Sequence, residues 1–102
     1  MHAMVVRMRL DPGRRPEVID HLQRDVAGWA MRQPGFVSGR WFCTTDGGDG
    51  LGVIVFDTQA AAAAAARGPR ATPHDEASAW NIERVDLFEQ VAAADMAEDA
   101  IF

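Results

Sequence analysis

Apolar and polar positions alternate at the start of the chain, where Met4, Val6, Met8 and Leu10 share one face and Arg7 and Arg9 take the other. This is the pattern of a strand with one buried face. Asp11-Pro12-Gly13 then supplies turn chemistry, and from Arg14 the period becomes helical. Steps of about 100° per residue place Val18, Ile19, Leu22, Val26, Trp29 and Ala30 within one arc about 120° wide, which predicts an amphipathic helix of about twenty residues. Gln33 precedes a proline and Gly35 can take a positive φ, so the helix is expected to stop there.

The stretch GFVSGRWFCTT returns to alternation, with Phe36, Arg40 and Phe42 set against Val37, Trp41 and Cys43. DGGDG follows and suits a hairpin connection. The segment from Leu51 to Phe56 is apolar on both faces, as expected of a strand covered on two sides. Seven consecutive alanines, Ala60 to Ala66, come next. Asp57 or Thr58 can cap them and Gly68-Pro69 can stop them, so they predict a short, thin helix and not a linker. Residues 67–78 form the longest loop. The last strand is expected over Trp80 to Val91, with Val85, Leu87 and Val91 on one face and Ile82 and Phe88 on the other. Residues 1–93 thus read as one domain. Residues 94–102 read as an acidic tail that either frays or docks Ile101 and Phe102 on a neighbour.

Composition narrows the function classes. Ten basic and fifteen acidic side chains in 102 residues leave a net charge of −5, without a basic run to follow a phosphate backbone. Nucleic acid is not an expected partner. The sequence has neither a signal-like N-terminus nor an apolar run long enough for a membrane span, so a cytoplasmic protein is expected. The single cysteine, Cys43, cannot form an internal disulfide and reads as an inert thiol in a strand.

Strand, helix, strand, strand, helix, strand is the split βαβ order of a ferredoxin-like α+β fold, a four-stranded antiparallel sheet with two helices on one face. That order, with QPGFVSGRWF and VIVFDTQAAAAAAA, resembles the dimeric α+β barrel superfamily and within it the antibiotic biosynthesis monooxygenase-like proteins. The resemblance spans residues 3–91. It implies a homodimer closed through the sheet faces, and a pocket between sheet and helices. It also implies either cofactor-independent oxygenation of a phenolic or enolic small molecule, or haem degradation. The haem-degrading type carries an Asn on the first strand, a Trp on the third and a His on the second helix. Here those places hold Arg7 and Arg9, no Trp, and alanine, so no cofactor and no metal are expected.

Candidate site residues come from the helix flank, the long loop and the strands. His21 and Asp25 are one helical turn apart, so the carboxylate can orient the imidazole as a general base, or the two can form a weak ion pair in solvent. His74, in TPHDE, can hang over a pocket mouth or lie exposed in a turn. Trp29, Trp41 and Trp80 can wall a site for a flat aromatic ligand or pack the core. Arg40, with Arg7 and Arg9, can neutralise an anionic substrate or pair across a subunit interface. Two further readings stand beside the oxygenase: a non-catalytic ligand-binding or stress-related dimer, and a proton-transfer isomerase or lyase.

Overall fold

The computed structural model describes residues 1–96. The expected docking of Ile101 and Phe102 falls outside the described residues. Strand β1 (His2–Leu10) leads through a short 3-10 turn into a helical rod made of α1 (Arg15–His21), a π turn (Leu22–Val26) and α2 (Ala27–Met31). Strands β2 (Phe36–Cys43) and β3 (Asp49–Phe56) form a hairpin, α3 (Gln59–Ala71) follows, and β4 (Trp80–Glu89) closes the sheet. The sheet is antiparallel in the order β2-β3-β1-β4. This is the expected α+β ferredoxin-like architecture.

One face of the sheet carries the core. Met4, Val6, Met8 and Leu10 of β1 are buried with Ile54 and Phe56 of β3, beneath Val18, Leu22 and Ala30 of the rod and Ala62, Ala65 and Ala66 of α3. Burying each of the larger side chains contributes roughly 1.5–3 kcal/mol, and this face is the source of most of the stability. Alanine lets α3 sit close. The backbone N–H of Ala61 donates to the Thr58 hydroxyl at 3.1 Å, so Thr58 is the cap. The rod stays in register by a different device. Val18, Leu22, Val26 and Ala30 are four residues apart, and in an uninterrupted α-helix such a row drifts around the axis. The wide turn, in which the Ala27 N–H reaches back to the Leu22 carbonyl, absorbs that drift.

Several details depart from the alternation read in the sequence. A bulge at Val37 pairs Phe36 with Phe56 and Ser38 with Val55, which moves Phe36 to the core face beside Trp41 and Cys43. A second irregularity near Glu83 puts Ile82 on the core face with Val85 and Leu87. In both cases an apolar side chain is buried at the cost of a regular ladder. Strand β4 ends at Glu89, and Val91 lies beyond it, exposed. Gly68-Pro69 does not stop α3. Pro69 sits in the last turn, where its missing N–H forfeits a single bond, and the Thr72 hydroxyl donates to the Gly68 carbonyl at 3.0 Å. The connection to β4 is shortened accordingly.

The two stretches that carry the family resemblance meet in space. Gly35, with φ of 80°, accepts a backbone bond from Asp57 at 2.9 Å, and a Cβ on Gly35 would stand 2.5 Å from the Asp57 carboxylate and 2.7 Å from the Ala61 Cβ. Only glycine satisfies both the dihedral and the approach.

Candidate functional site: a cleft between the first helix and the edge hairpin

A cleft of about 500 Å³ opens between the rod and β2. Its floor is the indole of Trp41. In the antiparallel register Trp41 stands opposite Gly52, and Gly39 is its neighbour on the same face. A Cβ on Gly39 would come within 2.7 Å of the ring, and one on Gly52 within 2.9 Å. The indole therefore lies across two positions that have no side chain, a flat aromatic plate on a glycine bed. Ile19, Leu22 and Ala27 supply the apolar helical wall, and Gln23, Arg15 and Arg40 add polar groups. Half-buried Cys43 also lines the cleft, instead of being sealed in the core.

Arg15 opens α1 and donates to the Thr44 carbonyl at 3.4 Å, linking the start of the rod to the β2–β3 turn. That turn is itself fastened. The Thr44 hydroxyl and the Gly48 N–H both donate to the Asp46 carboxylate, at 2.7 and 2.9 Å, and hold its pKa below the usual carboxylate range. Next to Arg15, a 2.5 Å bond from Arg14 lowers the Glu17 carboxyl and raises the guanidinium. Arg40 projects from the edge strand and curls back to donate to the Gly39 carbonyl at 2.8 Å.

Of the residues singled out in the sequence, Trp41 and Arg40 line this cleft. His21, Asp25 and Trp80 form a separate group on the other flank of the rod. The His21 Nδ1 is 2.9 Å from the Asp25 carboxylate, and the imidazole stacks on the Trp80 indole with 3.8 Å between centroids and 10° between planes. About a quarter of the His21 side chain is exposed. Trp29 packs on the core and reaches Gly68 of α3. His74 is exposed in a loop pinned beside it, where Asn81 accepts from the Asp75 N–H at 2.8 Å and donates to the Asp75 carbonyl at 2.9 Å. Sequence reasoning missed Arg15, Gln23, Gly39 and Gly52. The two glycines had a readable signal: with the hairpin register set by DGGDG, Gly52 falls opposite a tryptophan.

Sequence comparison finds that the antibiotic biosynthesis monooxygenase family model matches residues 1–73. No curated protein matches the chain. Among solved structures, HapK from Hahella chejuensis superposes with a TM-score of 0.69 at 16% identity, over 95% of this chain and 99% of that one. The heme-degrader MhuD from Mycobacterium tuberculosis, with two hemes bound in its active site, gives 0.69 at 16% identity, over 93% and 100%. A monooxygenase from Streptomyces coelicolor, the product of ActVA-Orf6 in complex with nanaomycin D, gives 0.61 at 16%, over 94% and 92%. At such identities the structures establish the shared fold, and the family model covers well over half of the sequence. The chain belongs to the antibiotic biosynthesis monooxygenase family.

Proposed function

We propose that this chain is a homodimeric member of the family that takes a flat aromatic small molecule into the cleft over Trp41, and that the activity to seek is cofactor-independent oxygenation of a phenol or enol. The observation that carries this reading is the indole lying on Gly39 and Gly52, which offers a ring-sized apolar surface at the bottom of an open cleft. In such chemistry the substrate loses its acidic proton, and the electron-rich anion passes electrons to dioxygen. The chain's part is to bind the ring, orient it on the indole and keep one edge open to oxygen.

A haem reading lacks a ligand. Helix α3 has no imidazole, thiol or thioether, and it turns Ala62, Ala65 and Ala66 onto the sheet. Among the described residues there is also no group of three His, Cys, Asp or Glu side chains able to hold a metal ion. The residues present do not fit the group that MhuD holds.

The homodimer reading rests on the sheet face that no helix covers. Phe42, Phe88, Leu51, Val53 and Val55 lie there, and both phenylalanines are 54% exposed. An apolar face of this kind is larger than monomers usually leave in water, and a second copy of the chain removes it by an isologous contact.

A second reading, ligand binding without catalysis, is favoured by one observation: among the described residues no imidazole or carboxylate lines the cleft. Two measurements separate the readings. Quenching of tryptophan fluorescence by a panel of hydroxylated polycyclic aromatics, lost in Trp41→Ala, supports the cleft. Oxygen uptake with the same panel supports oxygenation. Binding without uptake leaves the non-catalytic reading, and no quenching by any member overturns both.

A further inference from the structure

We infer that the cleft selects an anionic ligand, a flat aromatic acid whose carboxylate is held by Arg15 and Arg40. The inference rests on the cleft reading above and adds the ligand's charge.

The argument begins with where the arginines find partners. Four of them are paired with carboxylates: Arg9 with Glu83 at 2.9 Å, Arg14 with Glu17 at 2.5 Å, Arg24 with Asp20 at 2.8 Å and Arg84 with Asp86 at 2.6 Å. The chain has fifteen acids for ten basic residues, so carboxylates are not scarce. Yet both arginines of the cleft are left with backbone carbonyls alone, Arg15 with Thr44 at a long 3.4 Å and Arg40 with Gly39 at 2.8 Å. A carbonyl uses one N–H and leaves the charge uncompensated. Each guanidinium has five N–H donors in a planar fork, and that fork matches the two oxygens of a carboxylate.

The two cations also rise from different walls. Arg15 starts α1 and Arg40 sits on edge strand β2, with Trp41 on the floor. A planar ring resting on the indole would present an acidic substituent to one or both. The lining has no carboxylate to repel it, and Gln23 adds an amide donor. An anion brought here also meets a chain of net charge −5, so the local pair of cations has to supply the attraction. Because both side chains are exposed to salt, the preference should be moderate and ionic-strength dependent.

The test is calorimetric titration at neutral pH with 2-naphthoic acid and its uncharged isostere, 2-naphthamide. The acid is expected to bind about tenfold more tightly at low salt, with the ratio shrinking as salt is raised. It should collapse towards unity in Arg15→Gln/Arg40→Gln and persist in Arg67→Gln, an exposed arginine of α3 that does not line the cleft. Should the double variant fail to fold, the salt dependence of the wild-type ratio decides. Equal affinity of acid and amide for the wild type overturns the inference and leaves the cleft reading standing. A preference that survives in a folded double variant, or one that is indifferent to salt, also overturns it. Failure of both compounds to bind removes the cleft reading as well.

Discussion

The Gly35 carbonyl accepts the Asp57 N–H at 2.9 Å, and this bond joins the exit of the first helix to the entry of the second. The contact places both helices on one face, because each begins or ends at the same corner of the sheet beside the Phe36–Phe56 pair. Gly35→Ala is expected to destabilise by about 3 kcal/mol, combining an unfavourable φ with overlap against Asp57 and Ala61. Chemical denaturation measures it, and a loss below about 1 kcal/mol would mean that the corner yields easily.

Thr58→Ala should cost about 1 kcal/mol, since its hydroxyl satisfies the Ala61 N–H and α3 has few large side chains to anchor it. Asp57→Ala should cost less, because Asp57 is not the cap. Equal effects at the two positions would contradict that assignment.

Gly52→Ala tests the floor of the cleft. The added methyl would meet the indole at 2.9 Å, so the ring has to lift. A shift in tryptophan emission with weakened binding of aromatic ligands is expected, together with a stability loss of about 1–2 kcal/mol. Unchanged emission would show that the indole does not depend on the glycine bed.

The Asp46 turn should be sensitive to acid. Its carboxyl titrates below the unfolded value, so its bonds stabilise the folded state above the unfolded pKa. That contribution disappears as the pH falls through the lower folded value. Exchange of the Gly48 amide is expected to accelerate across this window, below about pH 4, and Asp46→Asn should remove the pH dependence. Because the carboxylate is fully exposed, the effect is local, and global stability should barely change.

The uncovered sheet face gives the assembly prediction. Sedimentation should find dimers at micromolar concentration, and Val53→Arg, which puts a charge at the centre of that face, should yield monomers or unfolded chain. A folded, soluble wild-type monomer at that concentration would defeat the dimer.

Much of this architecture was legible because strands and helices have different periods. The alternation from Met4 to Leu10 and the capped alanine run are local patterns, and local patterns survive tertiary folding. Phe36 and Ile82 were misassigned to faces because a bulge shifts parity, and what sets a bulge is the partner strand, which lies elsewhere in the sequence. Pro69 was misread for a related reason. Whether proline ends a helix depends on which turn it occupies and on who caps the freed carbonyl, here Thr72. The site was less legible than the fold. Trp41 was visible as an aromatic on a strand, but the cleft is defined by absent side chains at Gly39 and Gly52 and by the reach of Arg15 from another element. The imidazole and carboxylate of His21 and Asp25 form the expected pair, yet the direction they face is set by the phase of the rod.

That phase has a genetic consequence. The five-residue π turn holds one residue more than regular α-helical winding would, which is about 100° of rotation. Losing a single codon anywhere from Leu22 to Val26 would therefore mend the winding locally while turning everything downstream by that angle, carrying Trp29 off Gly68 and Ala27 out of the cleft. Loss of one residue within the Asp75–Ser78 loop would swing no such lever. The first helix behaves like a combination dial: every residue after the π turn is correctly aimed only for one count of residues before it.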